Sequence, residues 1–221
     1  AGEVEWKGGN LTKWKSDLVI DKISTEADEM KALLAAIKKQ YAPDSRVATY
    51  ELEAKKADRQ WIIKGKVDKA ELKANVLQEL KKAGVACVDS IAVLEFTKEK
   101  PWGLVKLSIA SLRTAGKHAA EMATQAIMGT PVKILEHAGD WARVQTPDQY
   151  ISYVPKNSLY QMTSAQMDEW KQAERYIVTV YQTQLVDAPK DGMTVSDLVL
   201  GNILEYKGKK GKFIRLATPD G

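Results

Sequence analysis

The chain has 221 residues, 44% hydrophobic and 28% charged, with 33 basic and 29 acidic side chains and a net charge of +4. That length fits two or three small domains better than one large one, and charges so evenly mixed do not make the clustered basic face of a nucleic-acid binder. No apolar run approaches the ~18 residues needed to cross a bilayer, and the polar opening Ala1-Gly2-Glu3-Val4-Glu5-Trp6 does not read as a signal peptide, although one removed upstream is compatible with it.

Residues 1–24 hold Trp6 and Trp14 among Gly, Lys and Asn, and read as an irregular N-terminal arm. A helix is predicted next. Ser24 or Thr25 suits its N-cap, Glu26, Asp28 and Glu29 its first turn, and Met30, Leu33, Leu34 and Ile37 its apolar face. Pro43 ends it. Residues 46–54 and 60–67 alternate as strands about a turn at 55–58. Asp68 then caps a helix with Leu72, Val76, Leu77 and Leu80 inward, closed by Gly84. Residues 85–96 read as a third strand that holds Cys87, the only cysteine. The order α-β-β-α-β over residues 25–98 predicts an α+β domain whose order resembles BON-type domains.

From Pro101 the pattern changes to short strands at 105–112, 131–135, 141–145 and 150–154, with turns between them, which predicts a small barrel over 101–161. Thr163-Ser164-Ala165-Gln166 opens a linking helix over 162–175, with Met167, Trp170 and Ala173 at helical spacing. A second module follows over 176–221, with strands near 177–182, 202–206 and 212–217.

The two β modules are related. Trp141-Ala142-Arg143-Val144-Gln145-Thr146-Pro147-Asp148 recurs 72 residues later as Phe213-Ile214-Arg215-Leu216-Ala217-Thr218-Pro219-Asp220, and Gly129 falls on Gly201. The first copy continues into the alternating run Gln149-Tyr150-Ile151-Ser152-Tyr153-Val154-Pro155. The second reaches Gly221 without such a run, so its closing strand is expected either from more polypeptide or from another source. Trp141 and Phe213 occupy equivalent positions and are expected to anchor the two barrel cores. Trp102 is expected to pack a domain junction, and Asp148 to serve the turn after Pro147.

The run His118-Ala119-Ala120-Glu121-Met122-Ala123-Thr124-Gln125-Ala126-Ile127-Met128-Gly129-Thr130-Pro131-Val132 and the segment 139–151 resemble the first bacterial SH3-like (SH3b) domain of NlpC-type peptidoglycan peptidases. The helix around Trp170, with Val195-Ser196-Asp197-Leu198-Val199 and Gly201-Asn202, is similar to that family's linker and second SH3-like domain. Tyr41-Ala42-Pro43-Asp44-Ser45-Arg46-Val47 resembles the leading domain of Bacteroides-type members. The resemblance implies two small all-β SH3-like barrels behind the α+β domain, the second incomplete at its C-terminus. It also implies a parent protein of the cell envelope, periplasmic or exported: a γ-D-glutamyl-L-diamino acid endopeptidase of the dipeptidyl-peptidase VI type. Such enzymes carry a Cys-His-polar triad on a domain that follows the second SH3-like domain.

This chain holds no Asp-Cys-Ser-Gly-like nucleophile motif, and its two histidines, His118 and His137, lie in the SH3-like region. No catalytic residue, metal or cofactor is therefore expected, and the chain is not expected to be an enzyme by itself. Its expected role is targeting and substrate gating for a peptidoglycan-peptide hydrolase, with a cell-wall peptide and the parent's catalytic domain as partners. By the same resemblance Glu121 and Tyr150 match the positions that meet the free amino end of an L-Ala-D-Glu substrate. The family's Gly-Tyr-x-x-Trp pattern is altered here at Gln149 and Tyr153. The alternative is a stand-alone SH3-like module that binds cell-wall peptide or a protein partner.

Overall fold

The computed structural model describes residues 10–58, 60–94 and 99–221, with side chains from residue 26 onward. It is a mixed α+β chain, rich in β-sheet, with three α-helices among the described residues. It divides into two compact units at Val93/Leu94, the second also holding Ser45–Val47.

In the first unit, helix α1 spans Asn10–Tyr41. This corrects the expected arm for residues 10–24, which are helical; residues 1–9, with Trp6, lie outside the described residues. No Gly or Pro interrupts positions 10–42. Ser and Thr cost only a few tenths of a kcal/mol inside a helix, so the cap signal at Ser24 and Thr25 does not start one there. Strands β1 (Tyr50–Ala57) and β2 (Gln60–Val67) pair antiparallel, and β3 (Cys87–Val93) pairs parallel to β2 after helix α2 (Ala70–Lys82). Met30, Leu34 and Ile37 of α1 and Leu72, Val76 and Leu80 of α2 bury their apolar faces with Tyr50, Ile63, Val67 and Ile91.

The caps of α2 are half as expected. Gly84 (φ +72°) gives its N–H to the Lys81 carbonyl while Val85 reaches Leu80, the bond pattern of a Schellman C-cap. Asp68 does not cap: its carboxylate accepts the N–H of buried Thr49 at 2.9 Å, and Lys69 holds the N-cap position without a side-chain bond. A buried N–H without a partner costs about 1–3 kcal/mol, more than a helix cap typically contributes.

The second unit begins with a seven-stranded sheet. Its strands are β4 (Trp102–Val105), β5 (Ile109–Arg113), β6 (Met122–Ile127), β7 (Pro131–Ala138), β8 (Trp141–Gln145), β9 (Ile151–Pro155) and β10 (Leu159–Met162), in the order β10-β4-β7-β8-β9-β5-β6. Its core holds Val105, Ala110, Leu112, Val132, Ile134, Ala142, Val144 and Val154. The expected strand 105–112 is two strands, broken at residues 106–108, where the chain passes between neighbours. Helix α3 (Ser164–Gln172) follows, with Thr163 and Gln166 forming a reciprocal capping box. Its Met167 and Trp170 pack with Leu104, Met162 and Trp102.

Beyond α3 lie β11 (Arg175–Ile177), β12 (Gln182–Val186), β13 (Thr194–Val199), β14 (Ile203–Lys210) and β15 (Phe213–Ala217). The recurrence in the sequence has a structural counterpart. At the 72-residue offset β13, β14 and β15 have the bounds of β6, β7 and β8. The bulge between Ile134 and Glu136 recurs between Tyr206 and Gly208. Gly129 and Gly201 share a left-handed φ, +87° and +92°. Gly129 donates to the Val105 carbonyl and Gly201 to that of Val178. The sheets close differently. β9 joins β8 to β5, whereas β15 is the edge of the sheet β11-β14-β15 and β12 pairs only with β13.

Within this unit the β6–β7 turn is built into the second set of strands. Met128 is fully buried with Leu198 and Leu204, and its carbonyl accepts the Ile203 N–H at 3.0 Å. Ser108 donates its hydroxyl to the Asp197 carboxylate. The Lys106 ammonium, 2.7 Å from Asp220, holds that carboxyl below the usual range.

Candidate functional site

Strand alternation sends successive side chains to opposite faces. Ala142 and Val144 enter the core, so Trp141, Arg143 and Gln145 of β8 take the other face, and Tyr153 of β9 lies opposite Arg143 in register. The Arg143 guanidinium carbon is 5.5 Å from the centre of the Tyr153 ring. Across this face runs the loop 114–121. Gly116 lies against Trp141 and Tyr153, where a Cβ would come within 3.3 Å of the indole and 3.5 Å of the phenol ring. His118 meets Trp141 edge-on, with ring centres 4.9 Å apart. The loop is pinned at both ends: Arg113 donates to the Ala120 carbonyl at 2.7 Å, and Thr114 donates its N–H to the Glu121 carbonyl at 3.0 Å.

Glu121 emerges from this pinned loop with an exposed side chain, directly before exposed Met122. Its carboxylate has no ion-pair partner among the described residues. Tyr150 is half-buried at the end of the β8–β9 turn. Its carbonyl accepts the Thr146 N–H at 3.0 Å and the Thr146 hydroxyl at 3.2 Å. Asp148 accepts the same hydroxyl and so belongs to the turn. Gln149 takes φ +72°, a conformation glycine favours.

Arg113 links the two positions. It is paired with Met122 on one side and with Tyr153 on the other, so β6 and β9 flank β5, about 10 Å apart. Glu121 and Tyr150 both lie beyond Arg113 at the same end of the sheet. Of the expected core anchors, Trp141 is 8% exposed and faces away from the apolar core, under the loop. Phe213 is 39% exposed, on the edge strand β15. The sequence did not single out Gly116 and marked Tyr153 only as a change in the family pattern, although the alternation of 150–154 already put Tyr153 and Val154 on opposite faces.

Cys87 is half-buried on β3 in the first unit, and burial together with Asp89 pushes its thiol up, away from the thiolate a nucleophile needs. His118 and His137 belong to the second unit. Among the described residues no three His, Cys, Asp or Glu side chains gather as a metal site, and no helix is long and apolar enough to cross a membrane.

Residues 112–159 match the family model of the bacterial dipeptidyl-peptidase Sh3 domain, a span that takes in the loop 114–121, β8, β9 and both Glu121 and Tyr150. Among solved structures the chain is similar to an NlpC/P60 family protein from Bacillus cereus ATCC 10987, at 17% identity and a TM-score of 0.42, over 54% of this chain and 52% of that one. It is similar to an NlpC/P60 endopeptidase from Photobacterium damselae subsp. piscicida at 15% identity and a TM-score of 0.40, over 56% and 32% of the two chains. NlpC1 from Trichomonas vaginalis matches at 12% identity and a TM-score of 0.26, over 56% and 42%. The chain thus spans about half, or less, of the length of these proteins. Comparison with curated protein sequences gave no match.

Proposed function

We propose that the chain is the targeting and substrate-gating region of a peptidoglycan-peptide hydrolase of the cell envelope. In this reading residues 101–161 and 176–221 are tandem SH3-like domains, and catalysis belongs to a cysteine-peptidase domain elsewhere in the parent protein. The observation that carries the reading is the match of residues 112–159 to a bacterial dipeptidyl-peptidase Sh3 domain, with Glu121 held exposed at the end of a pinned loop.

The chemistry follows from that position. A peptide with a free amino terminus brings an ammonium, and a carboxylate on a fixed backbone offers it a charge-assisted hydrogen bond. An acylated terminus has no such charge and is refused. Glu121 supplies the carboxylate, exposed Met122 an apolar contact for a small side chain, and Tyr150 the aromatic wall. Selection for a free terminus would spare the intact cell wall, whose stem peptides are acylated. The test is Glu121→Gln in the full-length parent. The free-terminus peptide should lose about tenfold to a hundredfold in kcat/KM, as expected for one charge-assisted hydrogen bond. An unchanged preference for free over acetylated peptide would remove Glu121 from this role.

A further inference from the structure

We infer that β1 is a self-complementary edge: two copies of the chain pair their β1 strands antiparallel about a two-fold axis at Ala54, joining two three-stranded sheets into one. The inference rests on the first unit alone and is independent of the peptide-recognition reading.

β1 is an outer strand of the sheet β1-β2-β3, so one side of its backbone has no strand partner among the described residues. Its side chains alternate. Tyr50, Leu52 and Ala54 pack toward the helices, whereas Glu51, Glu53 and Lys55 are exposed on the other face. Between this edge and α1 lies an open groove of about 870 Å³, walled by Met30, Leu34, Leu52, Ala54 and Trp61. Exposed Ala27, Lys31 and Ala35 of α1 form its helical rim. An open edge beside an apolar groove offers an added strand both main-chain hydrogen bonds and apolar burial.

The distribution of charge identifies the occupant as a second copy. Lysines on an edge ordinarily keep other strands away. Here the charges are divided along the strand, Glu51 and Glu53 in its first half, Lys55 and Lys56 in its second. An antiparallel copy therefore sets acid against base. A two-fold axis centred on a residue brings like faces together, which keeps the helices of both copies on one side of the joined sheet. Centred on Ala54, it places Glu53 of each copy opposite Lys55 of the other. Centred on Leu52, it would place Glu51 opposite Glu53, and centred on Glu53 or Lys55 it would set that residue against itself. Like charges directly opposite destabilise a strand pair, so the Ala54 register is selected. The groups it uses are available. Lys55 has no ion-pair partner among the described residues, and Glu53 meets Lys64 through one carboxylate oxygen at 2.8 Å. Lys56 is turned instead to Glu26 of α1. The two grooves then face each other across the axis, and each is closed by the other copy.

The test is sedimentation equilibrium of the 221-residue chain from about 1 μM to about 1 mM, with two single variants. The unaltered chain should be dimeric at the upper end. Glu53→Lys and Lys55→Glu each set like charges opposite one another, and each should weaken the dimer at least about tenfold. Both positions are exposed on the face away from the core, so the fold is kept. Mixed one to one, the two variants should dimerise again, because each chain then meets the opposite charge at both positions. An unaltered chain that stays monomeric throughout would overturn the proposal, its lysines then simply keeping the edge apart. So would single variants that dimerise as well as the unaltered chain, or a mixture that stays monomeric.

Discussion

The side chain of Asn202 donates to the carbonyl of Ser108 at 2.9 Å, joining residues 94 positions apart in the chain. Its own oxygen accepts the Val199 N–H at 2.9 Å, and the residue is fully buried. One amide therefore both closes the β13–β14 turn and ties it to the β4–β5 connection. The fully buried Met128 beside it makes this junction part of one packed body rather than a hinge.

Asn202→Ala should leave the Val199 N–H without its partner and the Ser108 carbonyl with only the Met128 N–H, at 3.3 Å. A polar group left unpaired in the interior costs about 1–3 kcal/mol. Urea denaturation followed through the tryptophans of the second unit should show that loss. A change under about 0.5 kcal/mol, the range of neutral surface substitutions, would show that the junction is not held this way.

Gly129 and Gly201 occupy equivalent turns but should not respond equally to alanine. Both take a left-handed φ, which costs an L-residue about 1–2 kcal/mol. At Gly129 the added Cβ would also lie 2.4 Å from the Ile203 carbonyl oxygen, a backbone atom that cannot step aside. At Gly201 it would meet only the tip of the Ile127 side chain, at 2.8 Å. Gly129→Ala is expected to be the more destabilising of the two in matched thermal melts, and the reverse order would contradict the packing described.

Tyr50 gives the first unit an alkaline limit. Its hydroxyl donates to the Leu34 carbonyl at 2.9 Å, and burial pushes its pKa up to about 12. The fold favours the protonated phenol, so this stabilisation is complete below pH 10, where the unfolded tyrosine is also protonated. It falls away as pH rises from 10 to 12, by roughly 2 kcal/mol in all. Tyr50→Phe should be less stable at pH 8 yet lose less stability between pH 10 and 12. Parallel curves for the two proteins would contradict this.

Cys87 should behave as a packed thiol. Its raised pKa leaves little thiolate at pH 8, so iodoacetamide should alkylate it more slowly than a free cysteine peptide, and Cys87→Ala should change no hydrolysis measured with cell-wall peptides. Faster alkylation than the peptide would point to an activated nucleophile.

The sequence made much of this legible, and the residues show where it stopped. The recurrence of 141–148 at 213–220 carried bulge, turn and glycine conformation with it, because each depends on local backbone chemistry that the same residue pattern repeats. Thr163 and Gln166 were legible for the same reason. Asp68 was misread because its true partner, the Thr49 N–H, lies 19 residues back in the chain, just before β1. Trp141 is buried under the loop 114–121, on the face opposite Ala142 and Val144, and alternation says which residues share a face but not what covers each face. The loop 114–121 that buries Trp141 from outside is held by Arg113, whose role depends on a carbonyl seven residues away. Gln149 tolerates its left-handed φ without being glycine, so the altered family pattern kept its turn.

The central claim, that Glu121 and Tyr150 form a recognition point for a free peptide amine, is tested most directly by an NMR titration of the 221-residue chain. The probes are L-Ala-γ-D-Glu and its N-acetylated form. Binding of the free dipeptide to a single exposed carboxylate and one aromatic wall is expected to be weak, with Kd on the order of millimolar. The amide shifts should gather around residues 114–122 and 146–153, vanish in Glu121→Gln, and be absent for the acetylated peptide. Equal shifts from both peptides, or shifts from the free dipeptide that persist in Glu121→Gln, would contradict the account.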